Sequence, residues 1–284
     1  MKQNDPRVKR YMFAGADAGF PLVHGFGYHH HRQAVSLPPH RHPSGMEITF
    51  VLSGSAIWQI AGGESYQQTG NTLFIMPSGL SHLGKYDIIT PCELAWIILD
   101  AHHLPAFFGP ENAEEFLRLT AEFSCRNVPF SKPFKAILRT AIDTLHREDL
   151  PFRELRLNHL LPLLLIELLI RLRSPDREDS RILPKTEKFI RKNLHRQIRC
   201  AELAANCHLS EPHFWSRFKR ESGLTPMDFL NRKRLEKAES LLKESSRSIT
   251  EIAFDCGFRS SQYFATVFKK QFGLTPTELR RKKS

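Results

Sequence analysis

The chain has 284 residues, 41% of them hydrophobic, with a formal net charge of +11 at pH 7. That length suits two domains, and that apolar share can fill packed cores, which excludes a disordered polymer. The five cysteines, Cys92, Cys125, Cys200, Cys207 and Cys256, include no Cys-x-x-Cys and are odd in number, which argues against a disulfide framework or zinc ribbon and fits a reducing cytosol.

The first residues, Met1 to Pro6, lack an apolar stretch, so no signal peptide is expected. From residue 20 to 100 the pattern is that of strands: Val35–Leu37, Met46–Leu52, Ala56–Ile60, Thr72–Met76 and Leu94–Leu99. Turns are expected between them at Pro38-Pro39, Ser53-Gly54-Ser55, Gly62-Gly63 and Pro77-Ser78-Gly79. Short strands so punctuated predict an antiparallel barrel or sandwich. His29, His30 and His31 form a run in which His29 and His31 share one strand face; an exposed edge strand is the expectation there.

After Asp100 the period changes. Glu111–Phe123, Lys132–Arg147 and Phe152–Arg173 carry helix-spaced apolar residues. Pro162 is expected to kink the third of these helices. The run Leu160–Leu172 is too short to cross a bilayer and contains Glu167 and Arg171, so no membrane partner is expected. Its surplus of leucine suits either a dimer surface or a cover for the sheet. Ser174–Ser180 has linker composition.

The last hundred residues contain no strand pattern. Helices are expected near Lys185–Leu194, Ala201–Cys207, Glu211–Ser222, Pro226–Lys243, Thr250–Cys256, Ser261–Phe272 and Thr275–Arg280. Within them a phrase recurs: Phe218–Pro226, FKRESGLTP, returns fifty residues later as Phe268–Pro276, FKKQFGLTP. The same offset pairs Ser210 with Ser260 and Phe214 with Phe264. A repeat of this kind is one supersecondary unit used twice, here a short helix, a tight turn and a second helix. Ser210 and Ser260 are placed to cap the second helices. The Phe pairs at i, i+4 anchor one face, Gly223 and Gly273 suit the left-handed stop, and Pro226 and Pro276 suit the next start.

Charge follows the repeat. Residues 181–284 hold 23 Lys and Arg against 11 Asp and Glu, a balance of +12, whereas the other 180 residues hold 18 against 19, or −1. That asymmetry is the footprint of a phosphate-binding module beside a neutral one. The face opposite each Phe pair carries Pro212, Ser216 and Lys219 in the first unit, with Trp215 at its flank, and Gln262, Thr266 and Lys269 in the second, with Ala265 at its flank; Glu211 and Ser261, at the starts of the two helices, are further candidate DNA contacts. The lysines recur and suit phosphate; the unshared positions, Pro/Gln, Trp/Ala and Ser/Thr, suit base edges and thymine methyls. A helix over 226–243 would be about 27 Å long, enough to hold two reading helices about one DNA turn, or 34 Å, apart. Two unlike readers predict a non-palindromic site for each monomer.

Ile252–Phe258 (IAFDCGF), Ser261–Phe264 (SQYF) and Phe268–Pro276 resemble the signature of the AraC/XylS family of transcription regulators, over roughly Ile182 to Arg280. The resemblance implies a bacterial regulator, more often an activator than a repressor, in which outward residues of both second helices contact double-stranded DNA. An activator would also meet RNA polymerase. In the first part of the chain, His40-Arg41-His42, then Glu47 and Gly54, with Gly70, Pro77 and His82 further on, resemble the two motifs of the cupin barrel. In metal cupins the matching His, His, Glu and His bind one ion, and three imidazoles with a carboxylate suit Fe, Mn, Ni or Zn.

The chain is therefore expected to be α+β and multidomain. The boundaries are a cupin-like effector-binding barrel over 1–105, a helical segment with a possible dimerisation role over 106–175, a linker over 176–184 and tandem helix-turn-helix units over 185–284. The function expected is a cytoplasmic, nucleoid-associated, homodimeric regulator and no enzyme, with no cofactor. A small-molecule effector, for which a sugar is the family's common case, would sit at His40, His42, Glu47, Trp58 and His82. The alternatives are a divalent metal at His40, His42, Glu47 and His82, as in a metal-dependent cupin enzyme fused to a DNA-binding module, and surface or core histidines with no role.

Overall fold

A computed structural model describes residues 11–15, 19–42, 45–60, 64–76, 78–173 and 182–281. The chain divides into two compact units, with the main boundary between Arg177 and Glu178. The expected turn at Gly62-Gly63, Pro77, and most of the expected linker lie outside the described residues.

In the first unit the strands are β1 (Tyr11–Phe13), β2 (Val23–His31), β3 (Val35–Ser36), β4 (Gly45–Ile60), β5 (Ser65–Thr69), β6 (Thr72–Met76), β7 (His82–Gly84), β8 (Ile88–Ile89), β9 (Cys92–Asp100) and β10 (Val128–Pro129). They pair antiparallel in the order β1-β2-β9-β4-β6-β10, with β5 and β7 also on β4 and a small β3-β8 ladder apart. The fold is the expected antiparallel, cupin-like barrel.

One strand stands where the sequence predicts two. Met46–Leu52 and Ala56–Ile60 belong to the single 16-residue β4, and Ser53-Gly54-Ser55 is not a turn. The register against β9 shifts between Val51 and Ser53, so the extra residue is taken up in a bulge that bends the strand without ending it. Gly54 sits at φ +81, where an added Cβ would come within 2.6 Å of the Pro91 carbonyl oxygen. Beyond the bulge β4 changes partners, from β6 and β9 to β5 and β7. This is how one strand serves both halves of the barrel.

The histidine run also differs from its expectation. β2 is flanked by β1 and β9, and His31 is buried while only His30 is exposed. His29 and His31 do share a face, with ring centroids 5.2 Å apart, and His29 packs edge-on toward Trp96.

Four helices follow: α1 (Leu104–Phe108), α2 (Pro110–Glu122), α3 (Lys132–His146) and α4 (Arg153–Arg173). They are not a separate layer. Phe116, Phe134, Leu138, Leu157, Leu161, Leu164 and Leu168 join Phe26, Ile48, Phe50, Ile75 and Ile97 in one hydrophobic core. α4 runs as one element through Pro162. Its inner face covers the core, while Phe152 just before it and Leu155, Leu163, Ile166 and Ile170 on it remain exposed. The expected cover for the sheet is thus its inner face, and the dimer surface is left to its exposed one.

The second unit is all helix in its described residues: α5 (Ile182–Asn193), α6 (Cys200–Asn206), α7 (Glu211–Ser222), α8 (Pro226–Glu244), α9 (Ile249–Asp255), α10 (Ser261–Phe272) and α11 (Pro276–Arg281). α7 and α10 have the bounds expected from the repeat. Phe214, Phe218, Phe264 and Phe268 are fully buried, and each pair sits 5.4 Å apart by ring centroid. Gly223 and Gly273 end these helices in the left-handed conformation at φ 70. The caps differ: the Ser260 hydroxyl accepts the Tyr263 N–H, but Ser210 stands at its N-cap with no side-chain bond. The expected Ser210 cap is therefore positional only.

Candidate nucleic-acid interface and barrel site

Helices α7 and α10 are held by what repeats. Burial of the Phe pairs fixes the rotation of α7 and α10 about their axes, since residues at i, i+4 share one stripe. The opposite stripe must then face water. In α7, Glu211, Pro212, Trp215, Ser216 and Lys219 are all exposed; in α10, Gln262, Thr266 and Lys269 are exposed, and Ser261 and Ala265 half-buried.

The two stripes differ in chemistry. Gln262 is an exposed amide whose oxygen accepts from the Ser260 hydroxyl at 3.1 Å, and the Thr266 hydroxyl donates back to the Gln262 carbonyl at 3.0 Å. An amide in that position can pair bidentately with adenine. In α7 the Lys219 ammonium lies 5.0 Å from the centroid of the Trp215 ring, a cation–π contact that screens part of an exposed aromatic face. His213 and Tyr263, one repeat apart, are exposed beside these stripes. Sequence reading passed over both, although the fifty-residue offset pairs them.

The turns before α7 and α10 need a left-handed residue. His208 takes it at φ 57 and Gly257 at φ 82. At Gly257 an added Cβ would meet the Leu194 carbonyl oxygen at 2.3 Å and the Arg234 guanidinium at 2.8 Å. Arg234, from α8, donates to the carbonyls of Leu194 and Arg196 at 3.3 and 2.7 Å. One α8 side chain thus fixes the segment between α5 and α6 against the turn of the second helix-turn-helix.

In the barrel, four of the five expected site residues converge. Glu47 is on β4, in the ladder between Met76 and Ile98, and His82 opens β7. His40 lies in the segment between β3 and β4 and is tied to His82 by two backbone hydrogen bonds of 3.0 and 2.9 Å. Nε2 of His82, His42 and His40 lies 2.7, 3.3 and 4.0 Å from the same Glu47 oxygen. The ligand-capable atoms of all four lie within 4.8 Å of one another.

Burial alone would raise the Glu47 carboxyl; hydrogen bonds from His42 and His82 outweigh it and hold the group at about 2. Burial pulls His82 down, but its bond to Glu47 and that carboxylate's charge leave it raised. His40 is lowered, chiefly by burial, with the neighbouring His82 adding to the effect.

Trp58 is apart from the four. It is 2% exposed, its indole N–H donates to Gln68 at 2.8 Å, and its ring stands edge-on to His82 at 6.3 Å. It walls the cluster from behind.

A family profile described as an AraC-like ligand binding domain matches residues 22–165, and one described as a helix-turn-helix domain matches residues 203–282. Over 79 residues the chain is 44% identical to the HTH-type transcriptional activator RhaS of Klebsiella pneumoniae, a stretch that spans 28% of each chain. Over 250 residues it is 26% identical to the RhaS activator of Salmonella schwarzengrund, covering 87% of this chain and 88% of that one. A solved structure of a probable AraC family transcriptional regulator from Rhodopseudomonas palustris is 30% identical over 36% of this chain and 96% of its own, at a TM-score of 0.34.

Proposed function

The chain belongs to the AraC/XylS family of transcription regulators, a DNA-binding regulator with a ligand-binding domain, and from that membership we propose that it activates transcription in response to a small effector received in the barrel. Relatives named as activators support the sign, and RNA polymerase is then a partner. The effector class put forward is a small sugar, received at the His40, His42, Glu47, His82 cluster with Trp58 behind it. Family membership favours this over the fused-enzyme reading, and we assign the cluster to sensing.

The observation that carries the DNA-binding reading is the pair of helices α7 and α10, each rotated by a buried Phe pair so that unshared side chains face water. In this reading Gln262, Ser261, Ala265, Thr266, Glu211, Pro212, Trp215 and Ser216 read base edges, whereas Lys219 and Lys269 hold phosphate. Effector occupancy and DNA affinity are then linked by one coupling free energy.

A second copy of the chain docks, in this reading, on the exposed apolar stripe of α4. Phe152, Leu155, Leu163, Ile166 and Ile170 are 78, 54, 44, 41 and 52% exposed and recur at helical spacing, the pattern of a partner-facing helix. Sedimentation of the full chain, with and without a charge at Ile166, tests this. No helix among the described residues is long and apolar enough to cross a membrane, and we place the protein in the cytoplasm, on the nucleoid.

Footprinting on the promoter beside its own gene, with and without candidate sugars, tests the whole reading. A protected, non-palindromic site whose affinity shifts with effector is expected. An absence of protection at low salt, where phosphate contacts are strongest, would overturn it.

A further inference from the structure

We propose that the first helix-turn-helix unit reads DNA through thymine C5-methyl groups packed on Pro212 and Trp215, whereas the second reads hydrogen-bonding base edges through Gln262. The inference deepens the assignment of α7 and α10 to base reading and rests on it. It names what the first half of the site must contain: one thymine, or two adjacent ones.

Surface chemistry is the first argument. Trp215 is a large apolar side chain left 42% exposed on a helix whose opposite face is fully buried at Phe214 and Phe218. Pro212, also exposed, lies three residues earlier, and side chains at that spacing are neighbours on a helix surface, about 5–6 Å apart at Cβ. The two therefore form one apolar patch on the outward side of α7. In the major groove the thymine methyl is the apolar mark among the base edges, and apolar side chains pack on it. Successive bases of one strand rise about 3.4 Å, so a patch of this size covers two neighbouring thymines at most.

The first turn of α7 also loses polar reach. Proline has no N–H, so Pro212, within that turn, offers neither a side-chain nor a backbone donor. Gln262, at the matching place in α10, offers both. Ser210 makes no side-chain bond at its cap, whereas the Ser260 hydroxyl holds the Gln262 amide at 3.1 Å. Polar contact from α7 is left to Glu211 at its start and to the short Ser216 hydroxyl.

The Trp215 ring is ordered in advance. The Lys219 ammonium stands 5.0 Å from its centroid, a cation–π contact that covers one face and leaves the other and the ring edge to a base. A ring so held loses less rotamer freedom on binding. The same contact sets a positive charge beside the patch, where the phosphates of a groove wall run, within the basic excess of residues 181–284. That setting fits a nucleic acid better than an apolar protein groove.

The test lets the full chain select its site from a randomised duplex pool. Each thymine of the selected duplex is then replaced in turn by deoxyuridine, which removes one methyl and leaves every hydrogen-bonding group in place. A loss of roughly three- to fivefold per methyl is expected, the effect of uncovering one CH2-sized group. It should be confined to the half-site about one turn from the position that Gln262→Ala relaxes. In Trp215→Ala the deoxyuridine replacement should cost nothing further, so that the two losses are not additive. Trp215→Phe, which keeps an apolar ring, should retain most of the methyl dependence, and Gln262→Ala should retain all of it. A Trp215→Ala variant that binds weakly while the deoxyuridine cost persists would make the ring a backbone contact and overturn the proposal. A selected site blind to every methyl would overturn it as well, while leaving the regulator intact. No selected site at all, even at low salt, removes both readings together.

Discussion

The two helix-turn-helix units differ only where the fold permits it. Both bury a Phe pair at 5.4 Å, both stop at a glycine at φ 70, and both start the next helix at a proline after a threonine. They diverge on the outward stripe, where the first unit offers Pro212 and a Trp215 capped by Lys219 and the second offers Gln262 and Thr266. Constraint inside with freedom outside is what a duplicated reader requires, because the scaffold sets where a side chain points and leaves open which one it is.

The largest effect should come from the shared interior. Phe214→Ala and Phe264→Ala each remove a fully buried ring and should each cost about 3–5 kcal/mol, read by urea unfolding followed by circular dichroism. Equal costs support two equivalent scaffolds. A loss at Phe264 alone would make the second unit the only one whose packing depends on its Phe pair.

The turns should separate the units next. Gly257→Ala combines a left-handed backbone, worth about 1–2 kcal/mol for a residue with a Cβ, with contacts under 3 Å to Leu194 and Arg234, so a total above about 2 kcal/mol is expected. His208 already carries a side chain at φ 57, and His208→Gly should move stability by less than about 1 kcal/mol. If thermal melts of the two variants shift alike, the turns are not the asymmetric pair the structure shows.

On DNA the comparison becomes one of specificity. Gln262→Ala should weaken a matched site by about 1–3 kcal/mol and relax preference at one position. Lys269→Ala should weaken all sequences alike and reduce the salt slope by about one. Filter or fluorescence titrations on matched and scrambled duplexes decide this. Equal losses on both for both variants would erase the division between reader and anchor.

The helical unit was legible nearly residue by residue because its signals are local. Gly223, Pro226, Gly273 and Pro276 punctuate it, and 3.6-residue spacing places Phe214 and Phe264 without reference to distant partners. The barrel was legible as a class but not in its joints. The bulge at Gly54 depends on how β9 pairs with β4, and the union of His40 with His82 on backbone bonds across 42 residues of chain; neither leaves a local mark, so a turn was expected at the first. The histidines and Glu47 were found as a motif, but only coordinates show that they converge on one oxygen. Trp58 faces Gln68, a pairing across β4 and β5 that its own strand pattern does not encode.

The smallest expected difference is also the sharpest, because it sets two identical residues against each other. Ser210 and Ser260 occupy the same place in the repeat, and sequence alone gives them the same role. The Ser260 hydroxyl accepts the Tyr263 N–H at 3.1 Å and donates to Gln262, while Ser210 makes no capping bond. Ser260→Ala should therefore cost about 1 kcal/mol and Ser210→Ala only a few tenths, since an exposed N-cap whose side chain is unused leaves the same amides to water in both forms. Because the Ser260 hydroxyl also bonds the Gln262 amide, the proposed reading has Ser260→Ala loosen discrimination at one base position, whereas Ser210→Ala should leave specificity unchanged. Matching stability losses in parallel melts would show that both serines cap in solution and that the units differ in their readers alone.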